Sequence, residues 1–241
     1  MEFKRIWTGN WENALYGLRH PMESYAKGDT DWYDDTTENE YKCFNQALDV
    51  DSQNCKFLGI GPNDMDLAQR MIKAGSPNDK FLRQIFVSVD ITAPLYWWKE
   101  MDQYRIGCTT NSQSTMHRLS KTPFTINCFE TDDLNKDLPV DIPDGWYKIE
   151  DLYTDIIQSL EFLRLKYLET KDIRYWKELI RLLPESWLQT RTWTANYAVL
   201  RNIIHWRSNH KLTEWHQFVD WCKTLPYAEQ LLFYNQKEVE E

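Results

Sequence analysis

No stretch of this chain approaches the run of about 18 apolar residues that a membrane span requires, so no span is expected. The opening residues, MEFKRIWTGN, lack the apolar core of a secretory leader. Cysteine is sparse and scattered: Cys43, Cys55, Cys108, Cys128 and Cys222 are odd in number and form no CxxC. That pattern argues against a disulfide framework and for a reducing, cytoplasmic setting. No cysteine or histidine set has a zinc-binding spacing, and His210 and His216 stand at the wrong interval for two ligands on one helix. An excess of basic charge is also missing. A net charge of -9 disfavours DNA or RNA as a partner. The GIGP at 59–62 lacks the third glycine and the preceding apolar strand of a dinucleotide fingerprint. No internal repeat is visible.

What the chain does have is length, aromatic bulk and uneven charge. Its 241 residues suit a single domain over 1–241, able to bury a core without staples. Twelve tryptophans argue for a packed protein and against disorder. Acidic residues crowd into 29–51, and about 27–54 reads as an acidic insertion of mobile composition. By contrast Gln103–Phe129 and Asn196–Thr213 contain no Asp or Glu. These windows hold Arg105, Arg118, Lys121, Arg201, Arg207 and Lys211, a distribution that suits a sheltered anion site.

Periodicity predicts an α/β (α+β) chain, mostly helical with a small central sheet. Phe3–Trp7 reads as an edge strand, and a capped helix starts at Asn63 or Asp64 and stops at Gly75. In Phe81–Thr92, Ile85, Val87, Val89 and Ile91 alternate with Gln84, Phe86, Ser88 and Asp90, the pattern of a half-buried strand. Pro94 suits the first turn of a helix running to about Arg105, followed by the polar loop CTTNSQSTMH. Ile149–Thr170, Asp172–Leu183 and Leu212–Thr224 read as amphipathic helices. Gln189–Thr194 reads as an extended piece leading into the helix of NYAVLRNIIHWR.

That last segment carries the chemistry. Asn196, Asn202 and Arg207 are expected on one broad side of its helix, offering amides and a guanidinium to a ligand with carbonyls and phosphates. Arg201 and His205 lie on the same segment, and Tyr104 and Tyr197 are candidates for stacking on a base or donating a hydroxyl. Ser112 and Ser114 can donate to phosphate from the polar loop. Asn196 is also a good helix cap, and Trp97 and Trp98 suit the core.

The stretch APLYWWKEMDQYR, Ala93–Arg105, with its polar loop, resembles the APxFxxRQWxRHR motif and Ser/Asn-rich loop of the flavin-dependent thymidylate synthases. Downstream, Pro184, Trp193-Thr194-Ala195-Asn196, Asn202 and Arg207 keep the spacing of that family's proline, WTxN and NxxxxR pieces. The resemblance covers roughly 55–225. The chain also resembles phage proteins of Gram-positive hosts, sharing the phrase FVSVDITAPLYWWKE. The resemblance implies the thymidylate-synthase-like fold, a homotetramer with sites between subunits, and FAD as a cofactor that no residue pattern makes certain. It also implies that Asn196 and Asn202 hold the flavin, Arg207 holds the nucleotide, and Arg105 faces the flavin or a phosphate.

The motif is eroded. Lys99 stands for its first arginine, Glu100 for its glutamine, and of the RHR positions, now Gln103, Tyr104 and Arg105, only the last is kept. Gln113 and Thr115 occupy the serine and arginine positions of the loop, and Ile180 the place of a further arginine. Each charge-assisted contact so lost weakens binding by about 1.5–3 kcal/mol. The expectation is a nucleotide-binding protein that captures or sequesters a nucleotide in inter-subunit pockets, in the host cytoplasm if phage-encoded. Its alternative is an active synthase methylating dUMP with FAD. A phosphodiester hydrolase using Tyr104, His117 or His205, and a purely structural role, are weaker readings because no base and nucleophile are paired by spacing.

Overall fold

Strict alternation builds the strand on which the central sheet depends. Ile85, Val87, Val89, Ile91 and Ala93 are fully buried, while Ser88, Asp90 and Thr92 point to the opposite, polar face. The computed structural model describes residues 1–34, 56–142 and 145–236. Most of the acidic insertion, with Cys43 and Cys55, lies outside the described residues.

In chain order the elements are β1 (Glu2–Gly9), α1 (Trp11–Gly17), β2 (Asp31–Asp34), β3 (Lys56–Gly59), α2 (Pro62–Ala74), β4 (Phe86–Pro94), α3 (Leu95–Met101) and β5 (Thr109–Ser112). There follow α4 (Thr115–Lys121), β6 (Pro139–Ile142), β7 (Gly145–Lys148), α5 (Ile149–Thr170), α6 (Ile173–Leu182), β8 (Leu188–Asn196), α7 (Tyr197–Arg207) and α8 (Thr213–Lys223). No described helix is long and apolar enough to cross a membrane, and the described residues hold no His/Cys/Asp/Glu cluster fit for a metal. Contacts gather the chain into two compact units.

The first unit comprises Met1–Ile91, Asp102–Asn111 and Arg191–Glu241. Its sheet runs β1-β4-β8-β5, so β1 is an edge strand, as alternation predicts. Side-chain hydrogen bonds join β4 to β8. Ser88 and Thr194 are 3.0 Å apart, and Thr192 donates to Asp90 at 2.5 Å. Ile203 and Ile204 of α7 and Trp215 and Phe218 of α8 are buried, and Trp193 of β8 meets Phe218 edge-on at 5.9 Å. At the edge, Phe3 stacks on Trp221 at 4.9 Å.

Helix α2 departs from the sequence reading at its start. Neither Asn63 nor Asp64 caps it. Pro62 occupies its first turn, and the carboxylate of Asp29 accepts from the backbone N–H of Asn63 (2.8 Å) and Asp64 (2.9 Å). The Asp64 carboxylate in turn accepts from the backbone of Asp29 (3.0 Å) and Thr30 (2.9 Å) and from Arg19 Nε (2.7 Å). Arg19 and Asp64 are both buried. Burial pushes the Asp64 carboxyl up, but the hydrogen bonds from Thr30 and Asp29 and the Arg19 charge outweigh it and hold the group below its usual range. Gly61 is required here, because a Cβ would lie 2.2 Å from the Asp29 carboxyl carbon and 2.3 Å from its carbonyl oxygen. Beside this knot, β2 pairs antiparallel with β3 from Asp31↔Gly59 to Asp34↔Lys56.

The second unit comprises Thr92–Met101 and Ser112–Thr190. Its core is Leu119, Phe124, Phe129, Leu160, Leu179 and Trp187, with Trp97 and Trp98 fully buried as expected. Helix α5 matches its predicted span, and α6 is one residue shorter at each end, Asp172 being its N-cap and Leu183 its C-cap. Three other expectations are corrected. Helix α3 stops at Met101, not Arg105, and Pro94 closes β4 instead of opening the helix. The polar loop is a strand, β5, followed by a helix, α4. The small β6–β7 pair breaks a region that helical periodicity does not mark as sheet.

Candidate functional site

The segment 102–108, expected to be helix and loop, is instead a turn pinned inside the first unit. Asp102 pairs with Arg191 at 2.8 Å, and Arg105 Nε donates to the Asp102 carbonyl at 3.1 Å. The Cys108 thiol donates to the Tyr104 carbonyl. Gly107 sits at φ +79, and a Cβ there would lie 3.0 Å from Asn196 Nδ2 and 3.2 Å from Val199 Cγ2. The turn therefore closes against the junction of β8 and α7, and glycine supplies both the left-handed backbone and the close approach.

This packing brings Tyr104 to Arg207. Arg207 Nε donates to the Tyr104 hydroxyl at 2.9 Å. Its guanidinium carbon lies 5.6 Å from the Tyr104 ring centre and 4.7 Å from that of Trp215. The two rings meet edge to face at 6.2 Å, and His210 packs on Trp215 at 6.1 Å. Arg207 and Tyr104 are half-buried, and Arg105, the next residue of the turn, is exposed. Two segments far apart in sequence thus contribute a cation and a tyrosine to one place. A guanidinium flanked by two aromatic rings suits a phosphate or carboxylate guest.

The remaining predicted residues take varied positions. Asn196 is buried and caps α7, its Oδ1 accepting from Val199 N–H at 3.1 Å. Asn202 is exposed. Five residues at 3.6 per turn separate it from Arg207 by about 140°, so the expected common side does not form: Arg207 lies toward the packed face and Asn202 away from it. Arg201 donates from Nη1 to the carbonyls of Leu231, Leu232 and Tyr234, closing the helical turn Ala228–Leu232, and its burial lowers the guanidinium's pKa. Tyr197 is wholly buried, donates to the Pro226 carbonyl at 2.8 Å, and has its phenol pushed well up by burial. His205 is half-buried and packs edge-on to Trp206. In the second unit Ser112 is exposed at the end of β5, and Ser114 caps α4 by accepting from His117 N–H. Burial raises the Cys108 thiol, which disfavours a thiolate nucleophile.

Trp215, Asp102 and Arg191 complete the arrangement and are invisible to spacing arguments. Trp215 reads as one more apolar residue of an amphipathic helix, and the Asp102–Arg191 pair spans elements whose adjacency only the fold creates. A cavity of about 560 Å³ lies apart from all of these residues, in the second unit between α5 and the segment 126–136. It is lined among others by Leu134, Tyr153, Ile157 and the Lys136–Glu150 ion pair.

No protein-family model matches the chain, and no curated protein matches it. Solved structures do. The flavin-dependent thymidylate synthase ThyX of Helicobacter pylori, complexed with FAD and dUMP, is 18% identical with a TM-score of 0.61, over 99% of this chain and 100% of that one. A UMP/dUMP methylase, PolB of Streptomyces cacaoi, bound with 5-Br dUMP, is 12% identical with a TM-score of 0.59, over 99% and 97% of the two chains. The α/β fold of the chain is therefore that of the flavin-dependent thymidylate synthases, from end to end.

Proposed function

We propose that this protein uses the thymidylate-synthase-like fold to bind a nucleotide through Arg207, and that it retains the nucleotide instead of methylating it. The carrying observation is the Arg207 guanidinium held between Tyr104 and Trp215 beside the pinned turn that also bears Arg105. A guanidinium fork of fixed orientation matches a phosphate in two parallel hydrogen bonds. Uridine monophosphates are the first candidates, because the similar structures hold dUMP and 5-Br dUMP.

Capture is favoured over catalysis by what now occupies the reacting end. Tyr104 engages Arg207. Lys99 is paired with Glu185 at 2.6 Å, and Arg105 turns its Nε to its own turn. The chain's donors also fit FAD poorly. Asn196 is committed to capping α7, Asn202 faces outward, and the cationic motif positions hold Gln103 and Tyr104. Within one chain they do not converge into a flavin cradle. The reading includes a homotetramer with pockets between subunits, supported by the exposed Phe162 and Leu165 of α5 and Ile173 and Leu182 of α6. It also includes a cytoplasmic location, the host's if the gene is a phage's.

Calorimetry with dUMP and UMP tests the proposal, with native mass spectrometry to identify any small molecule retained through purification. Arg207→Ala is expected to weaken nucleotide binding by tenfold or more, as loss of a charge-assisted contact of about 1.5–3 kcal/mol dictates. Absence of any nucleotide affinity in the wild type would end it. The second reading, FAD-dependent methylation of dUMP, is favoured by the end-to-end likeness to two enzymes. Protein that purifies yellow, with the oxidised flavin band, and rescues a thymidine-requiring strain would select it.

A further inference from the structure

We infer that Tyr104 is a positioning residue: it holds the plane of the Arg207 guanidinium so that the arginine meets a phosphate already oriented. The inference rests on the nucleotide-binding reading above and deepens it, since it says how the anion subsite is tuned. Three contacts carry it. The Tyr104 hydroxyl accepts from Arg207 Nε at 2.9 Å, its ring flanks the guanidinium at 5.6 Å, and Trp215 flanks it at 4.7 Å. The two rings meet edge to face at 6.2 Å, and the guanidinium lies in the corner that they form. Tyr104 can impose a direction because it is itself fixed. Its carbonyl accepts from Cys108, its turn is clamped by Asp102 on Arg191, and Gly107 abuts Asn196.

An arginine on a free stem has many rotamers and loses that freedom when it grips an anion. One already held loses less, and the difference appears as affinity. The hydroxyl's share is the ordering of one rotamer-rich side chain, so its removal is expected to weaken binding about fivefold to tenfold. Tyr104 does this without touching the guest, which separates it from a stacking or catalytic residue.

The test is calorimetric titration of the full-length protein with dUMP, for the wild type, Tyr104→Phe, Arg207→Lys and the double variant, with unfolding temperatures measured alongside. Tyr104→Phe should weaken dUMP about fivefold to tenfold, with the unfolding temperature lowered by no more than about a few degrees. The double variant should bind no worse than Arg207→Lys alone, because the tyrosine acts only through the arginine. Tyr104→His, which restores a ring with a hydrogen-bonding nitrogen, should recover part of the loss and serves as the second variant should Tyr104→Phe fold poorly. Wild-type affinity in Tyr104→Phe, or losses that multiply in the double variant, would overturn the positioning role while leaving nucleotide binding intact. A wild type that ignores dUMP would instead bring down the underlying reading, and this inference with it.

Discussion

At the scale of single residues, the knot with the largest stability consequence lies away from the site. Arg19 and Asp64 are both buried, and Asp64 accepts from Arg19 and from two backbone N–H groups. Removing one partner leaves an unmatched buried charge, so Asp64→Asn should lower the unfolding free energy by about 3–5 kcal/mol in urea at neutral pH. The folded Asp64 pKa is depressed below its usual value. Its contribution is therefore fully present above about pH 4, the unfolded carboxyl range, and is lost as pH falls through the folded value. The gap between wild type and Asp64→Asn should accordingly shrink in strongly acidic urea titrations. Sequence could nominate Asp64 only as a helix cap, because capping is judged from neighbours and this carboxylate's partners are far away in the chain. The same holds for Tyr104 and Arg207. Residue type and the acid-free windows single out both, but their hydrogen bond spans 103 positions and only the fold makes it.

At the scale of elements, periodicity and capping chemistry were legible where an element contained its own signals. Helix α5 has a continuous apolar stripe, and β4 has its alternation. Reading failed where another element finished the job. The cap of α2 comes from Asp29, 34 residues before Asn63, and α3 ends early because residues 102–108 are held by Arg191, Asn196 and their own backbone. Two element-level outcomes follow. Asn196→Ala should cost about 1 kcal/mol by loss of the α7 cap, read by urea denaturation. A change in dUMP affinity beyond that of Asn196's neighbours would show that its amide also meets the guest. Gly61→Ala should be more disruptive, because the added methyl would collide with Asp29 backbone as well as side chain. Fraying of α2, seen as lost amide-exchange protection at its first turn, is the expected sign.

At the scale of the whole molecule, the fold was legible through short phrases, while overall identity to the similar solved structures is only 12–18%. Those phrases lie where a strand meets a helix, at 93–105 and 193–207. The site was less legible, since a motif comparison gives residue types and not the contacts that they make. Native mass spectrometry at low micromolar concentration should show a tetramer if the exposed apolar residues of α5 and α6 are subunit contacts. A monomer would remove the inter-subunit pockets from the proposal. The pairing of β2 with β3 has a practical corollary. Asp34 and Lys56 stand opposite each other, and facing residues of an antiparallel pair are only about 5 Å apart, a gap that an Asn-Gly hairpin turn spans. Splicing such a dipeptide between Asp34 and Lys56 should yield a trimmed protein that still melts cooperatively, its β2–β3 pair closed as a tight hairpin.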